Sequence, residues 1–198
     1  MTSNGFPSSP VRAIDRRRFL FATATGLLAA GTDVRSAAAA TDDDLAFANF
    51  GLASSYLLAD YYGRALQTGR LGAAARPTLR RGRSASTLQA RALTDLLIGA
   101  GDTPATADDF AFEWPAAALA TAAATRRTGL TVLDAVRGAC QTASATLGES
   151  SYRMLFASLA ASVAEQAGAL ALPGTGVEPF PTALDLEAAS AALEAYLG

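Results

Sequence analysis

Phe47-Ala48-Asn49-Phe50-Gly51-Leu52-Ala53-Ser54-Ser55-Tyr56-Leu57-Leu58-Ala59-Asp60-Tyr61-Tyr62 is the stretch that decides the fold. In and around it, Leu45, Asn49, Leu52, Tyr56, Ala59 and Gly63 recur at three- and four-residue intervals, the spacing of one face of an α-helix. Asp42-Asp43-Asp44 stands just ahead, where carboxylates meet the free N–H groups and the positive dipole end of a helix. The spacing predicts a helix from Asp42 to about Gln67.

The same periodicity continues outward, and β-branched runs are scarce. After a polar link from Thr68 to Arg83, Ser84 can cap a second helix with Leu88, Ala92, Leu96 and Ala100 on one face, ending near Gly99–Gly101. A connection from Asp102 to Trp114 leads to Pro115, which suits the first turn of a third helix. That helix runs to about Ala145, with Gly129 and Gly138 as points of bending. Leu147-Gly148 marks a turn, and a fourth helix spans Glu149 to Leu172. The prolines and glycines from Pro173 to Pro181 make a rigid link. A short amphipathic helix follows from Ala183 to Leu197, with Leu184, Ala188, Ala191 and Ala195 on its stripe. The expected architecture is all-α: a four-helix bundle with a short additional C-terminal helix. The connections between helices one, two and three are long enough for a crossover as well as for plain up-down neighbours.

Ahead of these helices lies a different kind of sequence. Arg12, Arg16, Arg17 and Arg18 precede the apolar run Phe19–Ala30, which is too short to cross about 30 Å of hydrocarbon. Small residues follow in Ser36-Ala37-Ala38-Ala39-Ala40, with Ala38 and Ala40 placed for A-x-A-type cleavage after Ala40. The stretch resembles the bacterial twin-arginine export signal. Arg16, Arg17, Phe19 and Leu20 match that pattern, while Asp15 and Phe21 stand where it carries a hydroxyl residue and a lysine. The resemblance implies cleavage of residues 1–40, handling by the twin-arginine translocase, and a periplasmic, cell-envelope or secreted location. A retained signal acting as an anchor is the alternative.

Composition excludes much chemistry. The chain has no histidine, which removes Ser-His-Asp and Cys-His nucleophile systems, His-bearing zinc sites and His general bases together. All sixteen basic residues are arginine, so lysine nucleophiles are absent too. Cys140 has no second cysteine to pair with and sits in an apolar helical stretch, which predicts a small buried side chain. The full chain carries a net charge of −2, and its first 40 residues hold five arginines and two aspartates. Cleavage after Ala40 therefore leaves a domain near −5, a balance that argues against nucleic acid as a partner. No cofactor is expected.

Phe47 to Leu52 and Tyr56 to Tyr62, with Asp109-Phe110-Ala111-Phe112-Glu113-Trp114-Pro115 and Thr128-Gly129-Leu130, resemble exported bacterial ferritin-like domain proteins, a group that includes desiccation-related proteins. That resemblance implies a ferritin-like bundle over residues 41–198. In such bundles, glutamates and Glu-x-x-His pairs from four helices hold two metal ions. Aligned on the flanking hydrophobic pattern, those ligand positions fall on Ser55, on Gln89 and Ala92, on Arg126, and on Ala160 and Val163, so the centre is degenerate. Asp60, Asp95, Asp134 and Glu165 are spread over four helices and read as solvated carboxylates. Asp60 and Glu165 are each about 140° around their helices from Ser55 and Ala160.

Arg76, Arg80, Arg81 and Arg83 cluster in the first link, as a solvated loop or as a contact for an anionic ligand, lipid or envelope polymer. The aromatic set Phe47, Phe50, Tyr56, Tyr61, Tyr62 and Phe112 reads as core. The chain is expected to be a non-catalytic exported bundle with a structural, protective or binding role, as an envelope component or homo-oligomer. Its alternatives are a bundle holding an apolar ligand and a carboxylate-only metal protein. Substituting Arg16→Lys together with Arg17→Lys is expected to leave the uncleaved chain in the cytoplasm, seen by fractionation and immunoblotting. Undiminished export of that variant would refute the assignment.

Overall fold

The computed structural model describes residues 40–171 and 181–197. The export-signal residues, including Arg16, Arg17, Phe19, Leu20 and Ala38, lie outside these, as does most of the link from Pro173 onward. The described residues are all-helical, with five α-helices packed against one another. They are α1 (Asp42–Thr68), α2 (Arg76–Gly99), α3 (Ala122–Thr146), α4 (Ser150–Leu170) and α5 (Leu186–Leu193). Among the described residues there is no β-strand, only an isolated bridge between Phe112 and Leu197.

Local chemistry accounts for the ends of the helices. Thr41 caps α1 and forms a reciprocal box with Asp44, whose Oδ2 accepts from the Thr41 backbone N–H at 2.8 Å. Gly69 closes α1 in the left-handed conformation at φ 62°. Hydroxyl and carboxylate caps from Thr121, Glu149 and Asp185 start α3, α4 and α5.

Three boundaries differ from those expected. Helix α2 begins at Arg76 rather than Ser84, so Pro77 starts a helix instead of lying in a loop. Helix α3 begins at Ala122 rather than Pro115, because Thr121 supplies the cap and Pro115 to Ala118 forms only a turn. Helix α5 covers only Leu186–Leu193 and buries Ala189, Ser190 and Leu193, while Ala188, Ala191 and Ala195 face outward.

Helix directions follow from which residues meet. Gly82 lies against Tyr62, Leu93 against Gly51, and Asp102 bonds Asn49, so α2 descends as α1 ascends. Gly129 lies against Tyr61 and Gly148 bonds Asp44, so α3 also descends along α1. Arg126 at the start of α3 bonds Leu170 at the end of α4, which makes α4 antiparallel to α3. The order is therefore up, down, down, up. Helices α2 and α3 run the same way, and the segment 100–121 must climb the full height between them. It does so along α1: Asp102 is beside Asn49, Phe110 beside Tyr56, and Trp114 beside Asp60 and Tyr61.

Two glycines set the closest approaches. A Cβ at Gly82 would overlap the Tyr62 ring, and one at Gly129 would overlap the Tyr61 ring and come within 2.6 Å of Leu170. Gly138 is pressed by Thr182 and Leu184 of the C-terminal segment, with Thr182 O 2.7 Å from where its Cβ would stand. Tyr61 and Tyr62 are almost completely buried, and Phe156, Leu93 and Leu133 belong to the same hydrophobic core. Gly82→Ala or Gly129→Ala is expected to destabilise the fold by about 1–3 kcal/mol through overpacking. Gly168→Ala, with open space around it, is expected to stabilise by up to about 1 kcal/mol. Urea unfolding followed by helical circular dichroism reads all three, and equal effects at all three sites would contradict the packing described.

Candidate functional site

The contact pairs place Ser55 level with Gln89, on the side of α1 that carries Gly51 and Tyr62 towards α2, at the height of Val132 and Val136 of α3 and of Ser162 and Val163 of α4. Ser55 is buried and donates to Gly51 O at 2.8 Å. Gln89 donates through Nε2 to Ser162 Oγ at 2.9 Å, and Gln166 approaches the same oxygen at 3.5 Å. Val163 is buried and Ala160 half-buried against the core.

The other two expected ligand positions lie elsewhere. Ala92 faces solvent, and Leu93 takes the inward place on α2. Arg126 is near the beginning of α3, where its Nε donates to Leu170 O at 2.8 Å and covers the negative end of α4. Ala92 is turned away from the layer around the α2 axis, whereas Arg126 is displaced along its helix; hydrophobic spacing does not fix axial level.

A di-metal centre does not fit this layer. Its polar atoms are neutral hydroxyls and amides, with Gln166 Oε1 left without a hydrogen-bond partner, and hard cations need carboxylates. Among the described residues no three aspartate, glutamate or cysteine side chains converge. Asp95, Asp134 and Glu165 are exposed. Asp60 is instead a structural anchor. Its Oδ2 accepts from Trp114 Nε1 and from Arg64 Nε, each at 2.6 Å, and so pins the 100–121 segment to α1. Trp114 also packs on Tyr61 and on Tyr196, with ring centroids 5.7 and 4.9 Å away.

Outside the core, α1, α2 and the 100–121 segment enclose an open groove of about 910 Å³. Arg83, Thr87 and Arg91 project from α2 on one side, and Tyr56, Phe110 and Phe112 line the other. The arginines assigned to a loop by sequence are thus helical. Arg76, Arg80, Arg83 and Arg91 fall within about 80° of one another around α2, while Arg81 points to a different side. The bare backbone of Gly63 leaves room for the Arg83 guanidinium, whose Cζ lies 3.8 Å from where a side chain would begin. Tyr56 and Phe112, expected in the core, are half-buried and belong to this groove. Sequence reasoning missed Arg91, although its spacing from Arg83 is two helical turns.

Two buried titratable groups are structural. Burial raises the Asp44 carboxyl, but hydrogen bonds from Thr41, Glu149 and Gly148 outweigh it and hold it below the usual value. Burial pushes the Cys140 thiol up to about 12, so the thiolate needed for reaction is scarce.

No protein-family model, no curated protein and no solved structure matches the chain.

A depressed Asp44 stabilises the fold above the unfolded carboxyl value, about 4, and loses that contribution as pH falls through the folded value. Asp44→Asn is expected to cost about 1–3 kcal/mol at pH 7 and to flatten the loss of stability on acidification. Urea midpoints measured from pH 7 to pH 2 check this, and parallel curves for the two proteins would refute it.

Proposed function

We propose that the protein is an exported ferritin-like four-helix bundle, with α5 as a short addition, which has lost its di-metal centre and serves a non-catalytic structural, protective or binding role. The observation that carries this is the up-down-down-up order with one long crossover between α2 and α3. Ferritin-like bundles use a single crossover of this kind, whereas simple up-down bundles use short loops throughout. The neutral layer of Ser55, Gln89, Val132, Val136, Ser162 and Val163 supports the loss of the centre, because none of these side chains supplies negative charge to a divalent ion.

Export through the twin-arginine translocase accords with the cap geometry. Cleavage after Ala40 would make Thr41 the first residue, leaving the α1 cap intact. Its backbone nitrogen already donates to Asp44 Oδ2 at 2.8 Å, and a free ammonium there would face a carboxylate. The mature protein then resides in the periplasm, in the cell envelope or outside the cell, as an envelope component or a homo-oligomer.

Protein purified from cells supplied with iron and manganese is expected to contain well under one metal ion per chain, measured by plasma mass spectrometry. Two ions per chain at fixed stoichiometry would overturn the proposal.

A further inference from the structure

The outer groove has features that the proposed role does not use. Its two flanks differ in chemistry. On the α2 flank, Arg83 and Arg91 have no hydrogen-bond or ion-pair partner for their guanidinium groups among the described residues. Thr87 stands between them, one turn from each. Two guanidinium groups on one wall, about 12 Å apart along the helix axis, offer an anion two sets of donors.

The carboxylates at the groove do not supply that anion. Asp60 is engaged by both Arg64 and Trp114 at 2.6 Å. Asp95 lies a turn beyond Arg91 on the same helix and within no ion-pair distance of it. Arg64 balances Asp60, so Arg83 and Arg91 against Asp95 leave the lining one positive charge in excess. The whole of α2 is likewise biased, with five arginines against Asp95, in a domain that is otherwise acidic.

The opposite flank is aromatic. Phe110 and Phe112 stack with planes 3° apart and centroids at 5.6 Å, and Tyr56 tilts against Phe110 at 5.8 Å. These rings are half-buried although they sit on a connecting segment, and the Trp114–Asp60 bond holds that segment in place. A rigid, partly exposed ring surface facing unpaired guanidinium groups suits a flat apolar body carrying an anionic head. The volume of about 910 Å³ falls within the usual range for small-molecule sites.

From this geometry we infer that the groove binds a planar aromatic anion, with its carboxylate or phosphate between Arg83 and Arg91 and its ring system against Tyr56 and Phe112. Planar, bidentate donors such as guanidinium groups recognise either head. The inference goes beyond the proposed role and does not depend on the ancestry of the bundle or on its metal content.

Isothermal titration of the full chain tests it, with four probes: 2-naphthoate, 1-naphthyl phosphate, 2-naphthol and inorganic phosphate. Saturable binding of at least one naphthyl anion at one per chain is expected, and the stronger of the two identifies the head. 2-Naphthol and inorganic phosphate alone are expected to bind at least about tenfold more weakly, since each lacks half of the contacts. Arg83→Gln with Arg91→Gln is expected to weaken the anion by about tenfold or more while leaving the helical melting curve unchanged. Phe112→Leu, which keeps an apolar side chain on the segment, is expected to narrow the gap between the naphthyl anion and inorganic phosphate. Arg127→Gln on α3 serves as a charge-matched control and is expected to change nothing. Failure of both naphthyl anions to saturate would overturn the inference, as would 2-naphthol binding equally well or unaltered affinity in the double arginine variant.

Discussion

The structure depends on a pair of adjacent tyrosines that face different helices. Tyr62 packs its ring over Gly82 of α2, and Tyr61 packs its ring over Gly129 of α3 while donating to Thr125 O at 2.7 Å. Consecutive residues on a helix are separated by about 100°, so one dipeptide can serve two neighbours only if both can approach closely. Glycine at each contact permits that approach. Burial also disfavours ionisation of both phenols, which keeps their hydroxyls neutral. Helix α1 thus becomes the spine against which the two descending helices, α2 and α3, are set.

From that arrangement follows the path of the 100–121 segment. Once α2 and α3 descend together along α1, the chain between them has to return to the top on the outside of the molecule. Asp60 and Trp114 fasten it there, one residue away from the tyrosine pair, and Tyr196 packs on the other side of Trp114. The groove between this segment and α2 is therefore a by-product of the helix order. Its chemistry comes from two unrelated stretches: the arginine ridge of α2 and the Phe110–Phe112 stack. Asp44 plays a comparable part at the other end. A single buried carboxylate caps α1 and accepts from the backbone of the α3–α4 turn at Gly148 and Glu149.

Helical content was legible wherever the apolar spacing ran long, as in Leu45 to Gly63. Boundaries were less so. Gly82 and Pro77 read as breakers, yet Pro77 occupies a first turn where its missing N–H costs nothing, and Gly82 is required by the Tyr62 ring, twenty residues away in the chain. Pro115 gave the opposite error, because a proline compatible with a first helical turn does not compel one. In the candidate layer, Ser55, Gln89 and Val163 are buried. Ala92 faces solvent, and Arg126 lies near the start of α3; spacing around an axis carries no information about height along a neighbouring one.

By itself, the sequence determined which segments coil, which chemistries have no residues to perform them, and the sign of charge on each stretch. These are properties of single residues and of short-range spacing. Only the tertiary structure decided that α2 and α3 run the same way, that Asp60 is an anchor rather than a solvated carboxylate, and that Arg83 and Arg91 face an aromatic wall. Such pairings join residues far apart in the chain, and close packing of side chains against glycine backbones is what brings them together.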